Sequence, residues 1–428
     1  MPWSRQDRDS GPRITGASGG FLHDEDGGRL LDLASGFVCV SLGHGQPDVI
    51  DAICRQARRL CWAPSSAGND VRDTYAQRLA AIAPWPEGAR VHFGCGGGES
   101  NDDAVRIARQ LTGRPKVLSA YRSYHGATVG AGGLTGVDRW RDPLPAPSGL
   151  VKFTAPFPYR SPFHTDDPAT EAARALEHLR TIVSHEGAAN IAAIVVEPVS
   201  GSSGLVVPPD GYLQGVRELC DETGILLVFD EVMTGFGRVG TPFAATRLGV
   251  APDLLTFAKG ASSSYVPLSG VLVREGLAAR FDDRLFDVGH THAGHVLAVA
   301  AGLAALDVYE RDGLFERASE IERWLRVGLG ELAARHPVVG DVRGLGALFA
   351  LDLVADPETR APLVAWHEPE PSAAMARFHA ALRARGVHTY GRYHLVMVAP
   401  PLTISRDELA FGLDALDAAL DGLDDVMA

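Results

Sequence analysis

The run Ile225-Leu226-Leu227-Val228-Phe229-Asp230-Glu231-Val232 continues through Thr234-Gly235-Phe236-Gly237-Arg238. It then reaches Pro252-Asp253-Leu254-Leu255-Thr256-Phe257-Ala258-Lys259-Gly260. The first apolar run is β-type and ends in two carboxylates; the second ends at a lysine. A charge at the end of a buried strand is costly unless it meets a partner. A single bound molecule carrying both a cationic ring nitrogen and an aldehyde would satisfy Asp230 and Lys259 together. Working outward, Ile191–Val196 and Gly270–Val273 read as further strands. Gly211–Thr223 reads as a helix with Gly224 as its left-handed stop. Strand, helix, strand at this spacing implies βαβ units and a parallel sheet.

At 428 residues the chain is too long for one small core, so a large and a small domain are expected. A formal net charge of −13 argues against nucleic acid or an anionic membrane as a general partner. The polar N-terminus lacks the apolar core of a signal peptide, and no run of about 18 apolar residues reads as a membrane span. Cys39, Cys54, Cys61, Cys95 and Cys220 form no CxxC pair, which suggests buried thiols in a reducing cytoplasm. His290, His292 and His295 are close in sequence but match no zinc spacing, so no metal is expected. Beyond Gly294 the pattern becomes helical, through Leu314–Arg335, and strands follow around Arg343-Gly344-Leu345-Gly346. Ala355–Ser372 reads as a surface loop, and Ser405-x-x-Glu408 as a capping box that opens the last helix.

The run from Asp230 to Gly260 closely resembles the core of the class III, fold type I, aminotransferases that depend on pyridoxal phosphate (PLP). The resemblance extends from about Leu31 to Leu423. It implies an α/β fold, a large domain with a mostly parallel central sheet plus a smaller α+β domain. The expected division is 1–55 for an N-terminal arm and part of the small domain, 56–304 for the large domain, and 305–428 for the rest of the small domain. Lys259 is then the Schiff-base nucleophile, whose amine also moves the proton between substrate and cofactor carbons. Asp230 keeps the pyridine nitrogen protonated, and Val232 presses on one ring face. Glu231 reads as a helix cap or a salt-bridged acid. The phosphate needs backbone amides at a helix start, and Gly96-Gly97-Gly98-Glu99 before the helical AVRIARQL fits, through the amides of Gly97 and Gly98. Relative to the family's serine-glycine-serine/threonine-glutamate motif, glycine replaces both hydroxyl residues, at Gly96 and Gly98. Tyr124 in Tyr124-His125-Gly126 matches the family's ring-stacking aromatic, while by itself it would read as a core tyrosine. Thr291 matches the threonine that reaches the phosphate of the neighbouring subunit's cofactor, which implies a homodimer with composite sites.

Transamination is the commonest chemistry of such enzymes. In the ornithine and γ-aminobutyrate branch an arginine grips the substrate carboxylate and a glutamate neutralises that arginine; the corresponding positions here are Met397 and Ser202, so both members of the switch are missing. The segments YRSYHGAT, DEVMTGFGR and AKGASSSYVPLSG resemble instead the amine or ω-amino-acid:pyruvate branch, including the taurine–pyruvate type. The mobile arginine of that branch falls at Tyr390, with Arg392 two residues on. Arg392 is therefore the nearest candidate for a keto-acid carboxylate, against its reading as a surface arginine in a polar turn; Arg139 and Arg141 are the next. The expected reaction moves an amino group between an amine or ω-amino acid and a keto acid (pyruvate) or aldehyde. An aminomutase of the glutamate-1-semialdehyde type, another PLP-dependent isomerase or carbon–carbon bond-forming enzyme, and a non-catalytic PLP-binding regulator stay open.

Overall fold

The architecture comes from a computed structural model that describes residues 12–137, 147–284, 286, 288–365 and 372–427. Its centre is a seven-stranded sheet. In spatial order the strands are Ala89–Gly94, Ser269–Arg274, Leu254–Phe257, Leu226–Asp230, Ile191–Val196, Lys116–Ala120 and Leu150–Phe153. Ser269–Arg274 runs antiparallel to both neighbours, and every other adjacent pair is parallel. Ile191–Val196 and Leu226–Asp230 are buried at every residue, as expected for strands covered by helices on both faces. This explains why both read as continuous apolar runs rather than alternating ones. The helix between them spans Tyr212–Thr223 and stops at Gly224, which has φ 66°.

A second sheet pairs Ile14–Ser18, Phe21–Asp24 and Arg29–Asp32 in antiparallel order, then adds Val387–His388 parallel to Arg29–Asp32. The start of the chain is thereby stitched to its C-terminal region. A third sheet contains Val339–Leu345, Leu348–Asp356, Leu395–Val398 and Gly391–Arg392. The helix Val296–Arg311 is apolar nearly all round and buried nearly all round; it runs without interruption across residue 304. The last helix starts as read: Ser405 N donates to Glu408 Oε2 at 2.8 Å, and Glu408 N donates back to Ser405 Oγ at 3.2 Å.

Two expectations need correction. Of the five thiols only Cys220 is buried; Cys54 and Cys61 are exposed, the first on the outward face of the helix Pro47–Arg59 and the second in the turn after it. Composition cannot tell which side of an amphipathic helix a cysteine takes. The segment expected as a plain loop from Ala355 instead starts inside the strand Leu348–Asp356 and returns as Ala361–Pro362 to pair with it. Residues 366–371 of that segment lie outside the described residues. No helix among the described residues is long and apolar enough to cross a membrane.

Candidate active site

The carboxyl ends of the parallel strands put their polar residues at one rim, where open α/β sheets bind ligands. Ile191–Val196 delivers Glu197, Leu226–Asp230 ends in Asp230, and Leu254–Phe257 leads to Lys259. Together with Gly97, Gly98, Tyr124, Val232, Ser202 and Met233 they line one cleft of about 620 Å³. The expected residues from four separate stretches of sequence are thus brought to a single site.

Asp230 is almost fully buried and is held from three directions. Asn101 Nδ2 donates to its Oδ2 at 2.7 Å, His125 Nδ1 lies 2.8 Å from the same oxygen, and Val232 N donates to Oδ1 at 3.1 Å. Asn101 also donates to His125 O at 2.7 Å and accepts from Thr256 Oγ1 at 2.8 Å. Its amide orientation is therefore fixed, and the carboxylate cannot rotate away. Sequence reading overlooked Asn101, His125 and Thr256. The usable signals were a hydroxyl residue inside a buried strand and an asparagine on the buried face of an amphipathic helix.

Lys259 sits in the left-handed region with φ 41°, an unfavourable conformation for a residue with a Cβ. The turn after it is fastened: Tyr309 Oη donates to Gly260 O at 2.9 Å and Tyr75 Oη to Ala261 O at 3.0 Å. Ser263 Oγ accepts from Leu42 N at 2.9 Å. Protein surrounds the lysine and its open surface faces the cleft. Burial lowers its pKa, opposed by Asp230 and Glu197 among its charged neighbours. Glu197 accepts from Tyr124 N at 2.9 Å and Gly201 N at 2.8 Å, and burial still pushes its carboxyl up to about 7. Glu231 behaves as the cap it was read to be. It accepts from Ala244 N and Ala245 N at the start of the helix Ala244–Leu248 and from Thr234 Oγ1. Burial raises its carboxyl to about 7 as well.

The glycine run opens the helix Gly97–Thr112, with Gly96 as an extended N-cap that contributes no side chain. The amides of Gly97 and Gly98 belong to its first turn, which leaves donors for an anion. The glycines are also sterically set. A Cβ on Gly97 would meet Val232 at 3.0 Å, and one on Gly98 would meet Gly126 Cα at 3.3 Å. Gly126 has φ 134° and faces Gly98 Cα so closely that a Cβ there would lie 2.4 Å from it. By contrast a Cβ on Gly96 would meet nothing within 4 Å.

Three expected residues stand outside the cleft lining. Thr291 is exposed, and its carbonyl accepts from Trp62 Nε1 at 3.2 Å. Tyr390 is half-buried with its ring edge-on to Phe37, centroids 5.3 Å apart. Arg392 is not the surface arginine of a polar turn: only 5% of it is exposed, although its two-residue strand pairs with Leu395–Val398 at the edge of the third sheet. Its charge acts on the Tyr124 phenol, whose pKa burial raises and Arg392 lowers. Met397 is buried in the adjacent strand, and Arg139 and Arg141 lie outside the described residues. Tyr124 is half-buried at the cleft wall, so it is not a core tyrosine.

The sequence profile of the aminotransferase class-III family matches residues 5–420. The diaminobutyrate–2-oxoglutarate transaminase of Halomonas elongata is 33% identical, over 92% of this chain and 87% of its own length. The omega-aminotransferase of Caulobacter vibrioides is 35% identical, over 92% and 90%. The solved structure of the taurine:2-oxoglutarate aminotransferase from Bifidobacterium kashiwanohense, in complex with PLP and glutamate, superposes with a TM-score of 0.95. It is 37% identical, covering 100% of this chain and 96% of that one.

Proposed function

The chain belongs to the class III aminotransferase family, and we propose that it moves an amino group between an amine or ω-amino acid and a keto acid, with PLP held on Lys259. The observation that carries this reading is the buried amine of Lys259 sharing one cleft with the fixed carboxylate of Asp230 and the glycine amides of a helix start. The groups fit PLP: an amine for the aldehyde, an acid for the ring nitrogen, and amides for the phosphate. When bound, the cofactor supplies an electron sink for a substrate carbon that loses a proton.

The chain's own residues do the rest. Lys259 would hold the cofactor's aldehyde carbon. Burial lowers its pKa, which favours the neutral amine that would take the proton from the substrate carbon and return it to the carbon on the other side of the nitrogen. Asp230 keeps the ring nitrogen protonated. Asn101 and His125 are positioning residues that hold its charged oxygen in place. Val232 would cover one ring face and Tyr124 the other. Gly97 and Gly98 would bind the phosphate, and Thr291 would complete the second copy's site in a homodimer. The division into 1–55 with 305–428 and 56–304 is supported by the sheets: all strands of the large sheet fall between 89 and 274, and the other two sheets fall outside it.

For the acceptor we propose a keto acid with one carboxylate, pyruvate. No arginine is among the described residues that line the cleft, and Arg392 is the buried arginine whose charge reaches Tyr124. One cation suits one carboxylate. The test is a half-reaction. Holoenzyme mixed with a single amine and no keto acid should convert its cofactor to the amine form and release one equivalent of carbonyl product. Pyruvate should then restore the starting spectrum faster than 2-oxoglutarate does. Turnover of an amino compound without any keto acid would overturn the reading.

A further inference from the structure

The loop that presents Thr291 is tied to the large domain through a cluster that the proposed reaction does not use. His92 lies in the strand Ala89–Gly94, Asp103 in the second turn of the helix Gly97–Thr112, and His290 one residue before Thr291. Their ligand atoms all lie within 4.8 Å of one another. His290 Nε2 is 3.0 Å and His92 Nε2 is 3.3 Å from the same Asp103 oxygen, Oδ2. Asp103 is 1% exposed, yet its Oδ1 has no hydrogen-bond partner. His92 Nε2, despite its distance from Oδ2, is not aligned to make a hydrogen bond and has no other partner. A buried carboxylate flanked by two imidazole nitrogens, with acceptor capacity left over, is costly as a hydrogen-bond network.

From the donor set and its spacing we infer that His92, Asp103 and His290 bind a divalent transition metal of the zinc class. Zinc bonds of about 2.0–2.1 Å to nitrogen and oxygen place tetrahedral donors about 3.3–3.5 Å apart, close to the 3.0 and 3.3 Å that separate the two imidazoles from Asp103 Oδ2. Two imidazoles and a carboxylate are the ligand types that favour zinc over magnesium or calcium. Three protein ligands leave a position for water. The outer shell is also present. If His290 coordinates through Nε2, its Nδ1 faces Glu99 Oε1 at 3.5 Å, the carboxylate–histidine–metal arrangement that fixes ring orientation. His92 is braced from the other side by Phe286, edge-on with centroids 5.1 Å apart. The metal would anchor the His290–Thr291 loop to a strand and a helix of the large sheet. The site itself does not depend on Thr291 touching a cofactor. The cluster is not legible in the chain's order, because the histidines close to His290 are His292 and His295, whereas its partners lie nearly two hundred residues upstream.

The test uses PLP-loaded enzyme freed of metal by chelator and then of chelator by dialysis. Zinc chloride is titrated by calorimetry, and metal content is measured after desalting. One zinc per chain is expected, undiminished by excess magnesium or calcium. His92→Ala and Asp103→Asn should lose that stoichiometric uptake, while His292→Ala/His295→Ala should keep it. Glu99→Gln should weaken it by about 10–100-fold. Cobalt should give visible d–d bands with the wild type and none with His92→Ala. Should Asp103→Asn not fold, the half-buried His92 carries the test alone, with circular dichroism as the fold check. No zinc uptake by the wild type, or equal uptake by a folded His92→Ala, would overturn the site.

Discussion

Gly96→Ser should tighten cofactor binding, and the reason can be worked from the glycine run. The family's two hydroxyl positions are glycine here, so the proposed phosphate site has backbone amides without those side-chain donors. At Gly96 the backbone is extended, φ −150° and ψ 153°, and open space surrounds a new Cβ. Serine adopts that conformation without strain and is favoured at an N-cap. A hydroxyl donating to a phosphate oxygen is worth about 1.5 kcal/mol at the low end for a charged acceptor, and about 1.4 kcal/mol is tenfold in affinity. The expected outcome is therefore a PLP Kd about tenfold lower. Gly98→Ser is the control, since its Cβ would press on Gly126 Cα at 3.3 Å and Gly126 is locked at φ 134°. Its hydroxyl gain should be cancelled by that crowding, leaving affinity unchanged or weaker. The assay is absorbance titration of each apoenzyme with PLP, with thermal melts to confirm folding. Equal affinity of Gly96→Ser and wild type, both folded, would refute phosphate binding at this helix start.

Arg392→Ala should raise the KM for the keto acid at least about tenfold while sparing an uncharged amine donor; steady-state kinetics with both substrates varied would check it, and an unchanged keto-acid KM would move attention to Arg139 or Arg141. Mixing Lys259→Ala with Thr291→Ala protein should recover activity through hybrid dimers when subunits exchange, whereas a fully active monomer in sedimentation would contradict the composite site. Glu231 has its folded pKa raised from 4.5 to about 7, so the stability this provides is present in full below 4.5 and lost as pH rises through 7. That loss is on the order of 3 kcal/mol, and Glu231→Gln should flatten this part of the stability profile in denaturant melts at pH 5 and pH 8.

What could be read in advance and what could not follow one physical line. Periodicity and punctuation are local, so Ile191–Val196, the helix closing at Gly224, Leu314–Arg335 and the Ser405 capping box all stand where the residues indicate. Asp230 and Lys259 were legible because a charge closing an apolar strand demands a partner. Asn101, His125 and Thr256 were not, because their significance lies in a hydrogen-bond relay joining a helix, a turn and two strands. Arg392 looked like a turn residue among tyrosines; only the folded chain reveals a buried charge. Cys54 and Cys61 failed for the converse reason, since cysteine is apolar enough to suggest burial yet small enough to sit on a surface. The strand Ser269–Arg274 was found, but its antiparallel direction was not, since its apolar run reads the same both ways.

Whether Lys259 carries the cofactor can be tested directly, because the chain has few lysines. Its lysines are Lys116, Lys152 and Lys259. Lys116 is engaged by Glu186 at 2.6 Å, and Lys152 by Ser119 Oγ at 2.8 Å and by Leu134 O, so neither opens on the cleft. Borohydride reduction of the PLP-loaded enzyme, followed by digestion and mass spectrometry, should place one phosphopyridoxyl group on the peptide containing Lys259, and none in Lys259→Ala. Label on the Lys116 or Lys152 peptide, or an unlabelled Lys259 in active enzyme, would contradict the account.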